Sequence, residues 1–239
     1  MKNPRSDETS GRSGRTLLSI GAAGLVAGLL GFGLGEITYE TFSPEQVPQP
    51  LGGGQVMRPT LETIATADSR NSAVTCGTMG GLLGLVLGLA GGLSRRSIKS
   101  AAKAGIVGLL LGTALGVALP LVMIVPFRRL QVWRNSDDLF VPVGLHSALW
   151  APLGLVGGLA FGIGSGRPGL ILRCMLGGLA GALLGTIVYD VIGAAVSPLA
   201  GTADAISTTP VTRLLARLLV PIGAALAIAV AARDDAPGA

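Results

Sequence analysis

The sequence predicts an all-α integral membrane protein: six transmembrane helices in three repeated helical hairpins with glycine-zipper (GxxxG) packing. Two observations carry that prediction. Six apolar stretches are each long enough to cross about 30 Å of hydrocarbon. Within five of them, glycine recurs at every fourth position. Composition agrees, with mean hydropathy +0.64 and only 13% charged residues. Glycine supplies 38 of 239 residues without the three-residue period of collagen, and long Leu, Val and Ala runs exclude a disordered chain.

Four-residue spacing lays a stripe without side chains along one helix face, so a second backbone can approach closely. In water each such glycine would cost a helix roughly 1 kcal/mol. In a bilayer the penalty for unpaired backbone groups outweighs that loss.

Residues 1–16 form a basic cytoplasmic tail with Lys2, Arg5, Arg12 and Arg15. The first segment, Leu17–Glu36, carries Gly24 and Gly28. No small-x-small cleavage site follows before Glu36, so it reads as a retained signal anchor. A long outer loop, 37–72, separates it from the second segment. Ser43 to Gly54 is rich in Pro, Gly and Gln and is expected to be irregular, and Thr60 to Ser72 forms a short surface helix. Segment two, Ala73–Leu93, holds Gly80, Gly84, Gly88 and Gly92, and closes the first hairpin, 17–93.

The second hairpin, 104–163, comprises Ala104–Val125 with Gly108, Gly112 and Gly116, then Leu139–Ile163 with Gly154, Gly158 and Gly162. The third, 170–232, comprises Leu170–Tyr189 with Gly177, Gly181 and Gly185, then Leu214–Ala232. Residues 233–239 are the C-terminal tail. Pro120, Pro152 and Pro221 lie inside segments and are expected to kink them around a tight bundle. The repeat rests on ungapped matches. Gly24 to Pro44 aligns on Gly178 to Pro198, with Glu36 on Asp190 and Ser43-Pro44 on Ser197-Pro198. Pro152-Leu153-Gly154 likewise matches Pro221-Ile222-Gly223.

The net charge of +5 does not indicate nucleic acid, because the basic residues sit mainly between apolar segments, where they set topology. Eleven Lys and Arg lie on the side of the two tails against seven on the other, which places both termini in the cytoplasm of a bacterial inner (plasma) membrane. Arg95, Arg96, Lys99 and Lys103 form a cytoplasmic patch suited to anionic lipid. Partners are the bilayer and, through glycine faces, a second copy or other membrane helices. Cys76 and Cys174 read as small packing residues rather than as a disulfide or metal site.

Polar residues near the hydrocarbon are the candidate site. Glu36 and Asp190 close two similar odd-numbered segments, His146 lies about two turns inside the fourth, and Arg213 and Arg217 share a face at the start of the sixth. The short connection between the last two segments predicts that Asp190 pairs with Arg213 or Arg217, and leaves Glu36 without an equivalent arginine. Thr66-Ala67-Asp68, Thr202-Ala203-Asp204 and Ser136-Asp137-Asp138 read either as an acidic ring for cations or as helix caps, and capping is the favoured reading. No nucleophile motif, phosphate loop or metal-ligand spacing is present, so no enzyme activity and no cofactor are expected. Two functions compete: structural or assembly work through glycine-mediated packing, and a small-solute or ion pathway. Segment centres made mainly of Gly, Ala, Leu and Val, with Thr78 and Thr113 as modest exceptions, favour the first.

Overall fold

A computed structural model describes residues 4–134, 139–197 and 199–233. The Ser136-Asp137-Asp138 triplet, Pro198 and most of the C-terminal tail lie outside them. The chain forms α1 (Pro4–Ile37), β1 (Gln46–Leu51), β2 (Gly54–Pro59), α2 (Leu61–Ser94), α3 (Ile98–Arg134), α4 (Phe140–Ser165), α5 (Pro168–Val196) and α6 (Pro210–Ala231). All six helices are long and apolar enough to cross a membrane, and the protein is a multi-pass membrane protein.

Hydropathy marks only the stretch of each helix that faces hydrocarbon, and the helices run further. The expected surface helix at Thr60–Ser72 is instead the first three turns of α2. Thr60 caps that helix: its hydroxyl accepts from the Thr63 N–H at 3.2 Å, and the Thr63 hydroxyl accepts from the Thr60 N–H at 2.9 Å. These turns bury Ala65, Ala67, Ser69, Asn71 and Ser72, so one of their faces belongs to the core. At the same end of the bundle, Thr209 caps α6 by accepting from the Thr212 N–H. α3, α4 and α6 each continue as helix through their internal prolines.

The 43–54 loop is also more ordered than its composition suggested. It contains half of a two-stranded antiparallel ribbon pairing Gln46 with Pro59 through Leu51 with Gly54. Gly52 (φ 57°) and Gly53 (φ 88°) supply the two left-handed residues that a tight hairpin turn requires. A free ribbon has only edges, so Pro48 and Pro50 can face outward without breaking a ladder bond. We call this the ribbon end. At the opposite end, α4 passes into α5 through Gly166 (φ 64°) and Arg167 alone.

Sequence neighbours pack together, most extensively α2 on α3, followed by α4 on α5 and α5 on α6. α2 also lies against α4, and α1 closes the arrangement on α6. Glycines stand where helices meet. A Cβ at Gly80 would come within 2.5 Å of the Gly112 carbonyl oxygen, and one at Gly88 within 2.6 Å of Ala104. Between those levels Gly84 meets Gly108; further along, Gly92 meets Ala101 and Gly116 meets Cys76. On α4 and α5, Gly154 meets Gly178, Gly158 meets Cys174, and Gly162 meets Ile171. Gly177, Gly181 and Gly185 face Ala227, Gly223 and Leu219 of α6, while Gly24 and Gly28 face Pro221 and Arg217 of the same helix. Gly91, Gly164, Gly178 and Gly223, which stand outside the four-residue runs, make equally close contacts. Away from these seams, α1, α3 and α5 expose Leu25, Leu29, Leu110, Val122, Leu172 and Leu184, as suits lipid contact.

These contacts predict a sharp split among substitutions, measurable by thermal unfolding in detergent. Gly84→Leu and Gly158→Leu drive a side chain into backbone and should cost at least the upper part of the about 1–3 kcal/mol range for overpacking. Leu87→Ile should cost about 1 kcal/mol or less. Gly33 has no neighbouring heavy atom within 4 Å of a Cβ. Gly33→Ala should therefore gain roughly 0.5–1 kcal/mol of helix propensity.

Candidate functional site

At the ribbon end each of the six helices places a polar side chain in contact with another element. The deepest pair is His146 of α4 and Asp190 of α5, which are 0% and 2% exposed. His146 Nδ1 lies 2.6 Å from Asp190 Oδ1, and Nε2 lies 2.9 Å from the Asp204 carbonyl oxygen. A carbonyl oxygen can only accept, so Nε2 must carry a hydrogen. The Nδ1–Oδ1 contact then holds one further proton, as imidazolium with carboxylate or as imidazole with carboxylic acid. Either way the pair is neutral overall, which permits its burial.

Aromatic rings wall this pair. Trp150, one turn after His146 on the same helix face, stacks on the imidazole with centroids 4.6 Å apart and planes 7° from parallel. Tyr189 meets both rings edge-on at 5.7 and 5.4 Å. Asp190 Oδ2 is buried and has no hydrogen-bond partner among the described residues.

Arg213 does not reach Asp190. Its Nε and Nη2 grip the two oxygens of Glu36 on α1, each at 2.7 Å. Nη1 donates to the carbonyls of Ser207 (3.1 Å) and Thr208 (2.8 Å), and the guanidinium sits 3.6 Å from the Tyr39 ring centroid. Arg217, 3% exposed, donates to the Gly31 carbonyl of α1, and Gly35 leaves the room that its guanidinium occupies. The expected pairing of Asp190 with Arg213 or Arg217 is therefore corrected. α6 lies between α1 and α5, both arginines engage α1, and Asp190 faces α4. Glu36, expected to lack an arginine, holds one in a two-pronged contact.

Asp68 and Asp204 converge on Arg128 of α3, though the sequence favoured capping for both. Arg128 Nη2 is 2.7 Å from Asp68 Oδ2, and Nη1 is 2.8 Å from Asp204 Oδ1. The matching Thr-Ala-Asp tripeptides thus supply two acids to one cation, and the helix caps are Thr60 and Thr209 instead. Beside this triad is a cavity of about 150 Å³ lined by Glu40, Asp68, Ser72, Arg128, Asp204 and Thr208, among others. Tyr39 also lines it; partial burial pushes its phenol above the ordinary range, and Glu40 beside it acts in the same direction.

The sequence named Glu36, His146, Asp190, Arg213 and Arg217, and the structure gathers all five at the ribbon end. It did not single out Trp150, Tyr189, Ser72 or Arg128 as site residues. The Trp150 signal was available in its four-residue spacing from His146. Arg95, Arg96, Lys99 and Lys103 lie exposed at the opposite end. Among the described residues no group of three His, Cys, Asp or Glu could hold a metal ion. Comparison with known proteins finds no matching family model, no similar curated protein and no similar solved structure.

These contacts set an order of stabilities among variants of the two acids. Glu36→Gln strips Arg213, 5% exposed, of its charge partner and should cost about 2–4 kcal/mol, near the range for a broken buried pair. Asp190→Asn can still donate to Nδ1 of neutral His146 and should cost only about 1 kcal/mol, whereas Asp190→Ala should cost about 2–3 kcal/mol. Thermal unfolding of the three variants in one detergent checks the order.

Proposed function

We propose that this protein has a structural role in the membrane. Glycine-mediated packing of its six helices makes a rigid, sealed body that presents the ribbon and polar cap at one surface. One observation carries the reading: beyond His146, towards the basic end, the interior is filled by apolar side chains. Leu149, Leu153, Leu83, Leu87 and Ile228 are each 0% exposed and Phe161 is 3% exposed. The Thr186 and Thr78 hydroxyls bond to carbonyls of their own helices, at Ala182 and at Val74 and Thr75. A solute path needs convergent polar groups at mid-membrane depth. The reading assigns no catalytic chemistry. Because the glycine seams join helices of one chain, it gives the lipid-facing Leu and Val surfaces, rather than glycine stripes, to any partner helix or second copy. Basic residues at Arg95, Arg96, Lys99 and Lys103 support cytoplasmic placement of that end and contact with anionic lipid.

A second reading, a small-solute or ion pathway, draws support from the His146–Asp190 pair, about 9 Å along α4 from its first residue. Reconstitution into liposomes with a flux panel of protons, alkali cations and small organic cations separates the two. The structural reading expects flux no greater than in protein-free vesicles. Selective flux that Asp190→Ala abolishes overturns it.

A further inference from the structure

The cavity beside Arg128 has features that a purely structural cap does not require. Its lining carries three carboxylates, Glu40, Asp68 and Asp204, against one guanidinium, Arg128. Arg128 engages Asp68 through Oδ2 and Asp204 through Oδ1, leaving an oxygen of each carboxylate outside these ion pairs. Ser72, another lining residue, is 1% exposed, and its hydroxyl has no hydrogen-bond partner among the described residues. A buried hydroxyl without a partner costs free energy unless something occupies the space beside it. Asn71 directs both ends of its amide to the backbone of Phe42 and makes no bond to Ser72.

The Ser72 hydroxyl, which can accept as well as donate, and the carboxylate oxygens outside the ion pairs together offer acceptors with net negative charge. They call for a cation that carries its own N–H donors. Although three carboxylates line the cavity, among the described residues they do not converge as a set of three metal-ligating side chains. The cavity volume of about 150 Å³ limits the occupant to a small molecule. We propose that this cavity binds a primary ammonium ion, its N–H groups donating to Asp68, Asp204 and the Ser72 hydroxyl. The ammonium can belong to a free small amine or to an aminoethyl lipid headgroup, since the site opens at the ribbon end of the bundle.

In this arrangement Arg128 is a resident competitor for the two acids, which gives the site a diagnostic charge response. The test uses the full chain in phosphatidylcholine nanodiscs, titrated calorimetrically with ethylammonium chloride. Saturable binding is expected, and tetramethylammonium, which has no N–H donor, should bind at least about tenfold more weakly. Asp204→Asn and Asp68→Asn should each weaken binding about tenfold, and Ser72→Ala about threefold to tenfold. Arg128→Gln should tighten it, because both carboxylates lose their internal cation. Thermal unfolding of each variant shows that it folds. If Arg128→Gln does not fold, the Asp68, Ser72 and tetramethylammonium comparisons decide. Replacing part of the lipid with phosphatidylethanolamine distinguishes the two sources. Competition with ethylammonium assigns the site to the headgroup, and undiminished binding assigns it to a free amine. No saturable binding to the wild-type chain, or binding that Arg128→Gln abolishes and Asp204→Asn strengthens, would overturn the proposal. These measurements do not depend on the outcome of the flux panel.

Discussion

Backbone contact at the helix seams sets the heights of everything else in this bundle. Where Gly84 meets Gly108 and Gly154 meets Gly178, the distance between helices is fixed by main-chain atoms rather than by adaptable side chains. Such seams hold antiparallel helices in one register, advancing four residues on each partner per step. Extending the Gly84–Gly108 register towards the ribbon end brings Asp68 level with Ile124, one turn short of Arg128. Extending the Gly154–Gly178 register brings His146 level with Thr186, one turn short of Asp190. On the seam between α1 and α6, Gly28 sits at Arg217, which brings Glu36 level with Thr209, one turn from Arg213. In all three cases the polar pair lies four residues, about 6 Å, out of step with the seam, a gap that the side chains span.

That geometry explains which parts of the molecule could be read in advance. The six spans are legible because apolar length is a local property of the chain. The positions of seam glycines on each helix are equally local. Partner choice is not. Glu36 and Arg213 are 177 residues apart, and nothing near either one announces that α1 closes against α6. A reading confined to the α5–α6 connection gave Arg213 to Asp190 because that acid closes the neighbouring segment on the same side. The ribbon was hidden by composition: Pro48 and Pro50 argue against a strand inside a sheet, but a two-stranded ribbon has no interior strand. Asp68 and Asp204 were misjudged for a related reason. Their shared tripeptide fitted a cap locally, and only the tertiary arrangement brings Arg128 between them.

Around Arg213 and His146 the polar cap leaves little net charge unshielded. Arg213 meets a carboxylate with two of its nitrogens and two carbonyls with the third, so its donors are used almost completely. His146 and Asp190 together are neutral wherever their shared proton lies. Arg217 relies on the Gly31 carbonyl, and the missing side chain at Gly35 makes that approach possible. Glycine therefore contributes to polar satisfaction as well as to helix proximity. A side chain at Gly35 would displace the guanidinium from the Gly31 carbonyl.

Glycine seams alone do not specify a unique bundle. A seam displaced by four residues again sets small residues against small residues: Gly80 could lie opposite Gly108 as readily as opposite Gly112. Dispersion energy changes little in such a slip, because the surfaces are nearly periodic. The polar pairs are not periodic. Sliding α5 by one turn along α4 would carry Asp190 about 5.4 Å along the axis away from the nitrogen it now meets at 2.6 Å. A carboxylate would then stand unpaired among Trp150, Tyr189 and Leu149, where burying a charge is costly. The same slip between α2 and α3 would separate Asp68 from Arg128, and between α1 and α6 it would separate Glu36 from Arg213. Each seam thus carries one aperiodic contact at its ribbon end. Close packing sets how near the helices come, and these contacts select the register among the several that glycine alone would allow.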